Sequence, residues 1–133
     1  MTPAEILRGS RTIALVGASA REWRPSHGVM RYLLGQGYDV IPVNPTCAGE
    51  RILGRDVVAS LHEIEEPIDL VDVFRRPELT PPVAREAVEV GAKALWLQLG
   101  IRSEESARIA RDGGLQYVED LCTAVVHGSF ARE

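Results

Sequence analysis

The sequence predicts an α/β fold built on a mainly parallel sheet with helices on both faces. Three observations carry it. Residues 11–19 read Arg-Thr-Ile-Ala-Leu-Val-Gly-Ala-Ser, an apolar run that stops at a glycine and small residues. A short basic loop and a helix-like segment follow, the order in which backbone N–H groups and a helix N-terminus face an anion. Strand-like and helix-like segments then alternate to the end of the chain, as βαβ units require. With 133 residues, 45% of them apolar, the chain is long enough to bury a core as one domain, residues 1–133. The class is therefore Rossmann-like and doubly wound, with a sheet of five to six strands.

The elements follow in order. Thr2-Pro3-Ala4-Glu5 has capping-box spacing with proline at the first helical position, so a short helix covers residues 3–9. The first strand is Thr12 to Val16. Ser26 is the expected cap of a helix from His27 to Gln36, with Val29, Met30, Leu33 and Leu34 on one face and Gly37 as its stop. The second strand is Asp39 to Val43, followed by a loop holding Gly49 and Gly54. Val57-Val58 is a weak third strand, and Ser60 to Glu63 has the spacing to cap one helical turn. The fourth strand is Asp69 to Phe74, and Thr80-Pro81 opens a helix through Val90 that Gly91 closes. A strand at Ala94 to Gln98, a helix from Ser103 to Gly113-Gly114, a strand at Gln116 to Glu119 and a helix at Cys122 to His127 complete the chain. Counting the weak third strand, the expected order is 3-2-1-4-5-6.

Composition excludes several function classes. Net charge is −4, which argues against general nucleic-acid binding. No apolar run approaches a membrane span, and the N-terminus lacks the apolar core of a signal peptide, so the expected compartment is the cytoplasm. Cys47 and Cys122 form neither a disulfide framework nor metal spacing. There is no G-x-S-x-G, no G-x-x-x-x-G-K, no H-E-x-x-H and no C-x-x-C, so no catalytic constellation is visible.

Doubly wound sheets bind ligands beyond the carboxyl ends of their strands, at the switch point between the first and fourth strands. That rule gathers Gly17-Ala18-Ser19, Asn44-Pro45, Phe74-Arg75-Arg76, Gln98-Leu99-Gly100 and Asp120-Leu121-Cys122 on one rim. Gly17 permits a sharp turn and close approach of a phosphate. Arg21 and Arg24 supply guanidinium forks, and Asn44, the single asparagine, has the atoms to read a ribose or base edge. Arg75 and Arg76 face the same crevice, and Phe74 offers a stacking face. Each has a plainer rival. Gly17 can be an ordinary turn, Arg21 and Arg24 solvated charges, Phe74 core, and the arginine pair partners of Glu22 or Glu78. Of the histidines, His27 stands near the helix start and within reach of a ligand. The dinucleotide fingerprint would need glycine at 19 and 22, where the chain has Ser19 and Glu22.

These blocks carry a resemblance. Val16-Gly17-Ala18-Ser19, Arg24-Pro25-Ser26, Val43-Asn44-Pro45, Val73-Phe74-Arg75-Arg76, Gln98-Leu99-Gly100 and Asp120-Leu121-Cys122 occur in an order that resembles the free-standing CoA-binding proteins. Their fold is similar to the N-terminal CoA-binding domain of the succinyl-CoA synthetase α subunit. The resemblance implies coenzyme A as ligand, its pyrophosphate near Gly17 to Ser19 and its adenine end between the loops after the second and fourth strands. It implies binding roles for Gly17, Ser19, Arg24, Asn44, Pro45, Phe74, Arg75, Gln98 and Gly100, with Ala18 and Arg76 beside them. The family often has lysine where Arg21 stands and a basic residue where Leu121 stands. In the synthetase, ligation also needs a second domain with a phosphorylated histidine and a partner subunit, neither within these 133 residues.

The expected function is binding of CoA or an acyl-CoA by a stand-alone carrier or sensor module without ligase chemistry. A module that senses acyl-CoA for an unnamed protein partner is one form of it. The alternative is an NAD(P)-binding redox protein, against which stand the broken fingerprint and Asn44 where a ribose-binding acid is expected. Cys122 at the rim is placed to form a mixed disulfide with a CoA thiol, its plainer rival being a buried inert cysteine.

Overall fold

A computed structural model describes residues 1–131. Five parallel strands form the sheet, in the order β2-β1-β5-β6-β7. These are β1 (Thr12–Val16), β2 (Asp39–Val43), β5 (Leu70–Val73), β6 (Ala94–Leu97) and β7 (Gln116–Val118). A separate antiparallel pair, β3 (Arg51–Ile52) and β4 (Arg55–Asp56), hangs beside β2. The helices are α1 (Pro3–Arg8), α2 (Pro25–Gly35), α3 (Thr80–Glu89), α4 (Glu104–Asp112) and α5 (Thr123–Ala131).

Strand alternation sorts the core into two layers. Ile13, Leu15, Leu70 and Trp96 face α1, α2 and α5, against Val29, Met30 and Leu33 of α2. Ala14, Val16, Val71, Val73, Leu95 and Leu97 face α3 and α4, against Ala84, Ala87 and Ala110. Both faces of the central strands are thus covered, which is why they read as continuous apolar runs. The exception is Asp72, fully buried in β5 on the α2/α5 side.

The expected third strand does not form. Val57-Val58 is reduced to a single parallel bridge, Val58 to Val43. The chain before it spends its length on the β3–β4 hairpin instead. Leu53 (φ +50) and Gly54 (φ +80) both take positive φ there, as a tight two-residue hairpin turn requires. A leucine rarely adopts that conformation, and packing of the Leu53 side chain against the core holds it.

The cap of α2 also differs from expectation. The helix starts two residues earlier, at Pro25, with Arg24 in the cap position and no side-chain cap. Ser26 lies inside the first turn and is buried. Proline at the first position has no N–H to satisfy, so the helix starts there without a serine cap. The box at Thr2 does form: Thr2 Oγ1 accepts from the Glu5 N–H at 3.1 Å and Glu5 Oε1 from the Thr2 N–H at 2.9 Å.

Candidate binding site

The carboxyl ends of β1, β2, β5 and β6 open onto one cavity of about 960 Å³, near the upper end of the range for small-molecule sites. Of the residues singled out in the sequence, Gly17, Ala18, Ser19, Arg24, Asn44, Phe74, Arg75, Arg76 and Gln98 line it. Pro45 and Gly100 do not. Pro45 starts a turn of 3₁₀ helix on the surface. The Gly100 N–H is taken by Asp120 Oδ1 at 2.7 Å. That N–H, and then the Arg102 guanidinium, hold the Asp120 carboxyl below the usual carboxylate range.

Gly17 has a sharper reason to be glycine than a phosphate. Its φ is +91, and a Cβ there would stand 2.4 Å from the Phe74 carbonyl oxygen. The turn after β1 therefore passes hard against the end of β5. The Gly17 N–H donates to the Val43 carbonyl at 2.9 Å, so it extends the β1–β2 ladder and does not face a ligand.

The donors that remain are those of the next residues. Asn44 Nδ2 donates to the Ala18 carbonyl at 2.9 Å. His27 Nδ1 meets the Ser19 carbonyl at 2.9 Å, and its Nε2 accepts from Arg31 at 3.3 Å, which makes Nδ1 the donor. The Ala18 and Ser19 carbonyls are thereby occupied. Among the described residues, the N–H groups of Ser19 and Ala20 have no partner, and both residues line the cavity. Beside them lies the start of α2, where Pro25 and Ser26 also line the wall. Pro25 has no N–H and the His27 N–H is taken by the Arg24 carbonyl at 3.0 Å, so among the described residues the Ser26 N–H is the donor left at this positive end of the helix dipole.

Asn44 and Gln98 line the cavity but spend much of their polarity inside the protein. Asn44 Oδ1 accepts from the Thr46 N–H at 2.9 Å and from Thr46 Oγ1 at 2.7 Å. With Nδ2 on Ala18, Asn44 acts as a rivet between the β1 and β2 loops. An acid here loses the donor and turns a carboxylate onto the Ala18 carbonyl. Asn44→Asp is therefore expected to destabilise the protein by about 1–3 kcal/mol, read from its urea midpoint. Introducing a ribose-binding acid at this position would disturb the loop before it served a nicotinamide cofactor.

Arg21, Arg24, Arg75 and Arg76 surround the mouth, and none has a carboxylate partner among the described residues. The rival ion pairs of Arg75 and Arg76 with Glu22 or Glu78 are not formed among the described residues, and Glu22 faces Arg31 at 3.9 Å. Arg24 lies over the exposed Trp23 ring at 4.6 Å. The Arg75 Nε is buried with no hydrogen-bond partner. Among the described residues that line the cavity, Glu50 is the one acid. A chain of net charge −4 thus concentrates positive charge at one opening.

Apolar surface completes the wall: half-buried Phe74, Val29, Ile101 and exposed Leu99. Val29 carried no sequence signal beyond ordinary core spacing. Cys47 and Cys122 both line the cavity, and burial, then the Glu50 charge, push the Cys47 thiol up.

Comparison with known proteins decides the family. Residues 11–128 match the CoA binding domain family. The chain belongs to that family. The chain is similar to the uncharacterized protein YneT of Bacillus subtilis, 45% identical over 123 residues, 92% of this chain and 90% of that one. A solved structure of a hypothetical protein from Pyrococcus horikoshii is 37% identical, with a TM-score of 0.92 over 98% of this chain and 93% of the other. Acetate–CoA ligase [ADP-forming] I subunit alpha of Pyrococcus furiosus is 28% identical over 95 residues, 68% of this chain. This CoA binding domain spans only 21% of that subunit. Among the described residues, no helix is long and apolar enough to cross a membrane.

Proposed function

We propose that the crevice binds coenzyme A or an acyl-CoA, and that the protein serves as a carrier or sensor of that ligand. The observation that carries the reading is the uncapped start of α2 set among arginines without carboxylate partners. CoA has a pyrophosphate and a further phosphate at one end, an adenine, and a long amide arm. The free N–H groups of Ser19 and Ala20 and the α2 terminus suit the pyrophosphate. Arg75 and Arg76 stand ready for the other phosphate, with Phe74 as a face for the ring. Membership of the CoA binding domain family supports the same ligand.

Calorimetric titration with CoA, NAD and ATP tests this. CoA is expected to bind most tightly. Arg24→Ala and Arg75→Ala are each expected to weaken CoA about tenfold or more, the loss of one charge-assisted hydrogen bond. No heat with millimolar CoA, alongside clear NAD binding, would sink the reading and favour the redox alternative. Ligation is not part of the proposal, because the region shared with the ligase subunit is a fifth of that protein.

A further inference from the structure

Beneath the cavity lies a closed polar triad drawn from three elements. Gln98 Nε2 donates to Asp72 Oδ1 at 2.6 Å and to Thr123 Oγ1 at 2.8 Å. The Thr123 hydroxyl donates to Asp72 Oδ2 at 2.9 Å. All three side chains are buried, Asp72 and Thr123 completely and Gln98 to 3% exposure. Every hydrogen in the triad points toward the carboxylate or the oxygen next to it. Both Gln98 amide hydrogens are thereby used, and the partner-free end of that side chain is Oε1. Gln98 itself lines the cavity.

We propose that Asp72 is a positioning residue that fixes the Gln98 amide with its carbonyl toward the crevice, so that this point of the site accepts an N–H from the ligand. An amide N–H of a pantetheine-type arm has the matching chemistry. The inference rests on the CoA reading for its ligand, though not for the orientation of Gln98.

Protonation opens an alternative arrangement. A proton on Asp72 Oδ1 makes that oxygen a donor facing the Gln98 amide hydrogens, whereas one on Oδ2 faces the Thr123 hydroxyl and leaves Gln98 in place. Rotating the amide by half a turn relieves that conflict, placing Oε1 against the carboxyl and the NH₂ toward the crevice. A proton carried on Oδ1 thus decides whether the site presents an acceptor or a donor. Burial pushes the Asp72 carboxyl up to about 7, against the lowering effect of the Gln98 and Thr123 hydrogen bonds. The change therefore falls in the neutral range.

Among the described residues, no other charge acts on Asp72. On the adjoining strands it stands beside Leu15 and Trp96. On the α5 side the titratable groups are Cys122 and His127, and His127 is engaged by Tyr32. Arg75, beyond the end of the same strand, makes no hydrogen bond to it; its Nε has no partner. Only Gln98 and Thr123 act on the carboxyl besides burial.

The test follows the Gln98 side-chain amide by ¹⁵N NMR in the ligand-free protein between pH 5.5 and 8.5, with CoA affinity measured over the same range. In the wild type the amide resonances are expected to shift with a midpoint near 7, and in Asp72→Asn to stay still. CoA affinity of the wild type is expected to fall about tenfold toward low pH, a drop that Asp72→Asn lacks. Comparing the two proteins removes titration of the ligand's own phosphate. Thr123→Val, which keeps the acid but removes one donor to it, is expected to move the midpoint upward, and it serves if Asp72→Asn does not fold. Gln98 resonances that ignore pH, or a Thr123→Val midpoint equal to the wild type, would overturn the proposal. So would an identical affinity profile in wild type and Asp72→Asn. If CoA binds neither protein at any pH, the ligand reading fails while the NMR result still decides the triad.

Discussion

Gly17→Ala is expected to lose about 3 kcal/mol or more of unfolding free energy, the sum of backbone strain and a collision that the fold cannot absorb easily. Its φ of +91 is the first part. The second is the Phe74 carbonyl oxygen, 2.4 Å from where the new Cβ would lie. That oxygen is backbone at the end of a central strand, and its own N–H is held by Val16 at 2.8 Å. Gly37 separates the two contributions. It has a similar φ of +95 and nothing within 4 Å of a Cβ. Gly37→Ala should therefore cost only the strain, about 1–2 kcal/mol. Urea denaturation of both variants checks the prediction. Equal losses would mean that the β1 turn yields to the Cβ without moving Phe74. The larger loss predicted for Gly17 should also reach the ligand, because the turn and Phe74 both line the cavity.

The second large effect concerns pH. Asp72 has a carboxyl raised by burial from 3.8 to about 7. Between those values the folded chain keeps a proton that the unfolded chain has released. Stability contributed by this group therefore falls as pH rises from about 4 to 7 and is level beyond. The full difference is about 4 kcal/mol. Asp72→Asn removes the titration, so its stability relative to the wild type should rise by that order between pH 4 and pH 8. Thermal or urea unfolding at the two pH values measures it. A wild type and variant with parallel pH profiles would show that the buried carboxylate is fully compensated by Gln98 and Thr123.

Much of the architecture could be read from local pattern. Apolar runs of β-branched residues and leucine, bounded by glycine, place the five parallel strands within a residue or two. The rim was legible for a different reason: topology puts strand ends together whatever their side chains. What the sequence concealed is how the polar atoms there are shared. Asn44 looked free to meet a ligand, yet its partner Ala18 lies 26 residues away in sequence. Gln98 is tied to Asp72, also 26 residues distant, and Thr123 to Asp72 across 51. No local spacing reports such pairings. The β3–β4 hairpin was missed because its turn uses Leu53, and tertiary packing of that side chain overrides the usual preference for glycine or asparagine. Ser26 misled as a cap because Pro25 can begin the helix without one.

The braces on the loop after β1 have a thermodynamic consequence. Its carbonyls are fastened by Asn44 and His27, and the Arg21 N–H is held by Ser19 Oγ at 3.1 Å. Ordering an unrestrained residue removes about 1–2 kcal/mol of backbone freedom at room temperature. For this loop that loss is incurred when the chain folds, before any ligand arrives. The contacts an incoming anion makes are then left largely undiminished. A receptor set in advance in this way should associate without waiting for a slow rearrangement. The rivet at Asn44 thereby influences how quickly and how tightly the crevice fills, while its own polar atoms are engaged elsewhere.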